Sequence, residues 1–240
     1  HIDQFHFPLF RQMADRTVTT LHGRQDLPDL KPLYLGFSEM PLVSISNDQR
    51  RPVAKANFVA TIHHGIPANL HKPVYNPRGG YVAFLGRISP EKRPDRAIRI
   101  ARTLGIPLKI AAKVDKVDEA YFREKIAPLL SDPGVEFIGE IGDADKPAFL
   151  GQAVALLTPI DWPEPFGLVV IEAFGHGKPA IASRGGGPRC SPATARRVPG
   201  RPDGRLDADR AARDRVLPRD PAADRVRPDL RRGQGIEAKG

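Results

Sequence analysis

Between residues 81 and 182, short apolar runs alternate regularly with segments of helical period, and this constrains the chain more than any other feature. Strands joined by helices cross over and pair side by side, which predicts a parallel sheet with helices on its faces. Strands are expected at 81–85, 108–112, 135–138, 153–158 and 179–182, and helices at 94–104, 118–130, 143–150 and 166–174. Pro94 in a first turn and Gly105 after the last periodic residue mark the first helix at both ends. Pro128 should kink or shorten the last turn of the second.

Upstream the pattern is that of the closing half of a second α/β domain. A helix is expected at 5–13 and strands at 17–21, 42–45 and 58–62, with a turn-rich stretch through Pro28 and Pro32. His63-His64-Gly65-Ile66-Pro67 and a Pro- and Gly-containing connection to Gly79-Gly80 separate the two patterns. The chain starts at His1 rather than Met, directly before a helical segment, and an earlier part of the first domain is expected to be missing. The expected domains are 1–66, a remnant of one Rossmann-like domain, 67–187, a nearly complete second one, and 188–240, a basic tail.

With 240 residues, 40% of them hydrophobic, the chain has material for a real core. Of its net charge of +9, residues 188–240 carry +6, through 13 Arg and Lys239 against 7 Asp and Glu237. That tail has no Phe, Tyr or Trp and no periodicity, so it is expected to be disordered or translated out of frame from Gly187 onward. A basic charge confined to such a tail does not point to specific nucleic-acid recognition. Cys190 is the only cysteine, which excludes an internal disulfide and a cysteine metal cluster. With no apolar run near the roughly 18 residues of a spanning helix and no signal-peptide pattern, the expectation is a soluble, cytoplasmic protein.

Two motifs fall where a doubly wound sheet gathers ligands, in loops from strand ends to helix N-termini. The first is Gly86-Arg87-Ile88-Ser89-Pro90-Glu91-Lys92. Arg87 at a strand end and Lys92 before the next helix make a cationic pair able to hold a diphosphate, while Gly86 lets backbone approach the ligand. The second is Glu164-Pro165-Phe166-Gly167-Leu168-Val169-Val170-Ile171-Glu172. Here Glu164 lies in a loop, Phe166, Gly167 and Leu168 present N–H groups at a helix start, and Glu172 lies within the helix. One carboxylate suits sugar hydroxyls and the other a ribose. Taken singly, the charges also read as a solvated basic loop and a dipole-stabilised helix. Helix stability alone does not require the whole string with Trp162 and Pro163.

These two strings resemble the retaining family 4 glycosyltransferases, the group that includes sucrose synthase, over about residues 16–187. The resemblance implies a GT-B fold of two facing Rossmann-like domains, no cofactor and no metal, and a nucleotide-diphosphate sugar bound mainly by the C-terminal domain. It implies that Arg87 and Lys92 hold the pyrophosphate, that Glu164 and Glu172 are the glutamate pair, and that Gly139, Glu140 and Ile141 line the base pocket. It also implies that His22, in Thr20-Leu21-His22-Gly23, sits near the donor sugar. His64-Gly65-Ile66-Pro67 takes the place of an inter-domain turn. The implied acceptor is an unknown sugar, lipid or small molecule, and peripheral membrane contact is compatible with it.

Other readings stay open at this point. Asp143-Ala144-Asp145 has the form used by metal-dependent transferases, but an Asp before a short helix is read as its N-cap. A sugar-nucleotide epimerase would share the architecture, and a non-catalytic fragment with a nucleic-acid-binding tail would share the composition. No phosphate-binding Gly-rich motif of ATPases or dehydrogenases is present.

Overall fold

The chain divides into two units, His1–Ala195 and Arg196–Gly240, and the computed structural model describes residues 4–67 and 69–183 of the first. The expectations for the tail and for the break at Gly187 lie outside the described residues.

Five parallel strands form the larger sheet: β4 (Val82–Arg87), β5 (Leu108–Lys113), β6 (Val135–Gly139), β7 (Ala155–Thr158) and β8 (Ala180–Ala182). Their spatial order is β6-β5-β4-β7-β8. From β4 the chain moves outward to β6, then returns to the other side of β4 for β7. The strand order therefore reverses between β4 and β7, which leaves a crevice at their carboxyl ends. A smaller parallel sheet comprises β1 (Thr19–Thr20), β2 (Leu42–Ser44) and β3 (Phe58–Thr61), in that order.

Alternation along the strands sends side chains to both faces. Val82, Phe84, Leu108, Ile110 and Leu157 pack with Ala97, Ile98 and Ala101 of helix α4 (Pro94–Leu104) on one face. Tyr81, Ala83 and Leu156 pack on the other with Phe149 and Leu150 of α6 (Lys146–Gln152) and Val170 and Ala173 of α7 (Leu168–Gly175). Burial on both faces explains why these strands read as continuous apolar runs. Truncating a fully buried residue such as Leu156 to Ala is expected to cost roughly 2–5 kcal/mol. The small sheet has its own cluster, Phe7, Leu21, Tyr34, Met40, Leu42 and Val53.

Several elements differ from the sequence expectations. The first helix spans only α1 (Phe7–Phe10) and passes into a 3-10 segment, Arg11–Arg16, with a kink at Met13. The stretch through Pro32 contains a helix, α2 (Leu30–Gly36). Pro32 is harmless there because first-turn N–H groups have no intrahelical partner. A further short helix, α3 (Asn47–Arg50), was not foreseen; Ser46 caps it by accepting from Gln49 N at 3.0 Å. The helix expected at 118–130 is broken into α5 (Glu119–Tyr121), a π segment (Phe122–Ile126) and a 3-10 segment (Ala127–Ser131). Pro128 lacks an N–H and crowds the preceding turn, so the ladder widens before it and tightens after it. Pro94–Leu104 and its Gly105 stop match expectation, Gly105 adopting φ 62° and donating to the carbonyls of Ala101 and Arg102.

The connection between the sheets is strapped to the end of α7. His176 Nδ1 faces the Lys72 carbonyl at 3.1 Å, and its Nε2 faces His71 Nδ1 at 2.9 Å. A carbonyl only accepts, so His176 donates from Nδ1, accepts at Nε2, and is neutral, while His71 donates from Nδ1. Burial depresses the His176 pKa, with the charges of His71 and Lys178 acting in the same direction against the Lys72 carbonyl. Lys178, also buried and depressed by that burial, donates to the Val74 carbonyl. Gly175 is required beside this strap, since a Cβ there would lie 2.7 Å from the Cβ of His71.

Candidate active site at the sheet crevice

Lys92 and Glu164, 72 residues apart in sequence, form an ion pair at the crevice between β4 and β7. Lys92 ends a 3-10 turn after β4 (Pro90–Lys92), and Glu164 lies in the loop from β7 to α7. Trp162 joins them: its Nε1–H donates to the same carboxylate oxygen at 3.1 Å, and Lys92 Nζ sits 4.9 Å from its ring centroid. A second cation, the guanidinium of Arg24, lies 5.3 Å from that centroid. The indole is thus held by two cations and one carboxylate. Behind the pair, a cavity of about 50 Å³ is lined by Phe84, Gly86, Leu157, Thr158 and Val170. Ligand pockets occupy about 300–1,000 Å³, so this space by itself is too small to be one.

Arg87 occupies the last position of β4, one residue within the strand rather than beyond it, because β4 continues pairing with β5 through Gly86 and Arg87. Its guanidinium is half-exposed and held loosely by Glu91 at 3.5 Å and Asp115 at 3.4 Å. A Cβ added to Gly86 would meet nothing within 4 Å, leaving the backbone at the strand end open to approach. Helix α7 begins at Leu168, two residues later than the expected 166, because Gly167 adopts φ 80° as its cap. That left-handed conformation is one a side chain disfavours.

Glu172 is buried on α7, where its Oε1 accepts from Lys146 Nζ at 2.9 Å while its buried Oε2 has no partner among the described residues. Lys146 also contacts Asp143 at 2.8 Å. Burial works against its ammonium, but the bonds and charges of Asp143 and Glu172 prevail and raise its pKa. Sequence reasoning missed Lys146, since a lysine opening a short helix carries no signal of the carboxylate it will meet. The N-cap expected at Asp143 is replaced: α6 starts later, Asp145 occupies the cap position without a side-chain bond, and Asp143 turns to Lys146. The lysine offers that carboxylate a stronger, charge-assisted partner.

The small sheet contributes one side of the crevice. His22 follows β1 and stacks on His64, with centroids 5.2 Å apart and planes 12° apart; His64 in turn meets the edge of Phe166 at 5.1 Å. Partial burial and the neighbouring His22 lower the His64 pKa. Ser46, while capping α3, donates from Oγ to the Pro165 carbonyl at 2.5 Å. Gly139, Glu140 and Ile141 lie apart from this cluster, since β6 is the edge strand and β5 stands between it and β4. Gly139 has φ 88° and Ile141 packs on the second core cluster. Among the described residues no helix is long and apolar enough to cross a membrane.

Two all-parallel sheets, with loops from both meeting around Trp162, Glu164 and Phe166, place the chain in the Rossmann-like α/β class with the GT-B glycosyltransferase fold. Residues 68–191, more than half of the chain, match the profile of Glycosyl transferases group 1, and the chain belongs to that family. It is 29% identical over 184 residues to an uncharacterized 42.6 kDa protein in the cps region of Klebsiella pneumoniae, a match covering 75% of this chain and 47% of that protein. Among solved structures, Anabaena Alr3699/HepE in complex with UDP and glucose superposes with a TM-score of 0.60 at 21% identity, over 70% of this chain and 53% of that one. Sucrose-phosphate synthase from Thermosynechococcus elongatus gives 0.60 at 20% identity, over 73% and 53%. The chain spans about half the length of these relatives.

Proposed function

We propose that residues 67–187 are the donor-binding half of a family 4 glycosyltransferase, which moves a sugar from a nucleotide-diphosphate sugar to an acceptor with retention of configuration and without a metal. Residues 1–66 are the adjoining part of an acceptor-side domain, and residues 188–240 are an out-of-frame tail. The enzyme works in the cytoplasm. The observation that carries the reading is the meeting of Lys92 and Glu164 at the point where the strand order reverses.

Without ligand the two charges satisfy each other. A bound donor exchanges these partners: its diphosphate takes Lys92 and Arg87, and its sugar hydroxyls donate to Glu164. Glu172 Oε2, buried in the ligand-free chain, accepts from a ribose hydroxyl once the loops part, with Lys146 holding Oε1 in place. Gly139, Glu140 and Ile141 border the base. When the bond between sugar and diphosphate breaks, negative charge grows on the departing phosphate oxygen. Lys92 and Arg87, already engaged with the diphosphate, stabilise that charge as it develops, which lowers the barrier. Phe166, Gly167 and Leu168 add the positive end of α7. His22, stacked on His64, borders the sugar from the acceptor side. The UDP and glucose held by the Anabaena relative favour a donor of the UDP-sugar class.

Calorimetric titration of UDP tests the reading. Saturable binding that Lys92→Ala removes is the expected result, and equal affinity in that variant overturns it.

A further inference from the structure

Arg93 is the one non-glycine residue among the described residues with a positive φ, 54° with ψ 50°. A Cβ disfavours this left-handed conformation, and glycine would adopt it freely. The side chain therefore has a use that glycine could not supply.

All of its nitrogens are engaged. Nε and Nη2 donate to the two oxygens of Asp95, each at 2.9 Å, and Nη1 donates to Asp161 Oδ2 at 2.9 Å. Arg96 donates to the same Asp161 oxygen at 2.9 Å, and the Asp161 N–H donates to the Glu91 carbonyl at 2.9 Å. Three of the five guanidinium N–H donors of Arg93 are thus committed to the carboxylates of Asp95 and Asp161. Directly after Lys92 in sequence, Arg93 joins that loop to Asp161, directly before Trp162 and three positions before Glu164.

We infer that Arg93 is a positioning residue: with its guanidinium oriented by Asp95, it ties the loop of Lys92 through Asp161 to the loop of Trp162 and Glu164 and helps fix their separation across the crevice. The tie matters most when a donor enters. The direct Lys92–Glu164 contact then opens, and the Arg93–Asp161 bridge, together with the Arg96–Asp161 bond and the Asp161 N–H to Glu91 carbonyl bond, keeps the two loops from drifting apart. Its consequence for binding rests on the donor-site reading above, whereas its consequence for loop geometry does not.

Trp162, the chain's sole tryptophan, provides a local probe, because its indole N–H bonds Glu164 and its ring faces Lys92. Arg93→Gly removes the side chain while relieving the backbone, and Asp161→Asn weakens the bridge from the other side without touching the backbone of Arg93. Both variants are expected to shift or broaden the single indole N–H resonance, to weaken UDP binding roughly tenfold as preorganisation is lost, and to retain the melting temperature. Because Asp161 also accepts from Arg96, the double variant should be no worse than Asp161→Asn alone. Wild-type resonance in both variants overturns the proposal, as does full additivity. An altered resonance in a chain whose parent binds no UDP sustains the positioning role while removing the donor-site reading. If Arg93→Gly does not fold, Asp161→Asn alone decides.

Discussion

Two lysine–glutamate pairs flank helix α7, and they are built for different purposes. Lys92 and Glu164 meet between two loops before the helix, with an indole against both. Lys146 and Glu172 meet between two helices, where the carboxylate side chain is 10% exposed against 15% for Glu164 and one of its oxygens has no partner among the described residues. The first pair can separate, because water or a ligand reaches its charges once the loops part. The second cannot exchange its lysine without leaving a charge stranded in a dry place. One is a contact that a ligand replaces, the other a support that holds an acceptor oxygen ready.

Breaking the second pair should therefore have the larger effect on the fold. Lys146→Ala is expected to cost about 3 kcal/mol of stability, measured by urea unfolding, because it leaves the buried Glu172 charge without its counter-ion. Lys92→Ala should do the reverse. It costs less, about 1–2 kcal/mol in the same measurement, because Glu164 keeps the Trp162 indole N–H, but lowers UDP affinity roughly a hundredfold by calorimetry, as expected when a desolvated phosphate loses its cation. If both variants lose stability alike, the contrast between the pairs disappears.

The contact from the small sheet sharpens the comparison. Ser46→Ala removes both the cap on α3 and the bond to the Pro165 carbonyl. It should cost about 1 kcal/mol in stability and should loosen the loop of Glu164, visible as a changed indole resonance, while leaving the Lys146–Glu172 pair intact.

The smallest expected effect is that of pH on the strap at the other end of α7. The folded-state pKa of His176 is depressed, so below the ordinary histidine value the unfolded chain takes up a proton that the folded chain refuses. Its contribution is fully present above about pH 6.5 and is lost as pH falls from there toward the depressed value. Melting temperatures recorded from pH 7.5 down to 5.5 should decline, and His176→Asn should flatten the decline. The groups facing His176 are His71, Lys178 and Glu172, so an unchanged slope in the variant would assign the pH dependence to another group.

Helix α4 was legible residue for residue because its signals are local: Pro94 in the first turn, an apolar stripe, Gly105 after the end. The strands of the larger sheet were legible to within two residues, β4, β5 and β7 because burial on both faces makes them largely apolar runs and the edge strands β6 and β8 because they continue the alternation with helices. Helix α2 was not, since Pro32 reads as a breaker unless its place in the first turn is known. The break at 122–126 was legible only as a kink, because whether a proline shortens or widens a helix depends on what packs around it.

Of the site, the charged residues of the two motifs could be named from their chemistry and their places at strand ends. Their partners could not. That Lys92 faces Glu164, that Lys146 holds Glu172, that Arg24 reaches Trp162 and that Arg93 spans to Asp161 all depend on the reversal of strand order between β4 and β7 and on the docking of the small sheet's loops. The sequence by itself determined the local elements and the kinds of charge at the strand ends, since propensity, periodicity and turn chemistry act over a few residues. Only the tertiary structure decided which charges face one another, because pairing across more than 20 residues is set by packing of the sheet, and no local pattern encodes it.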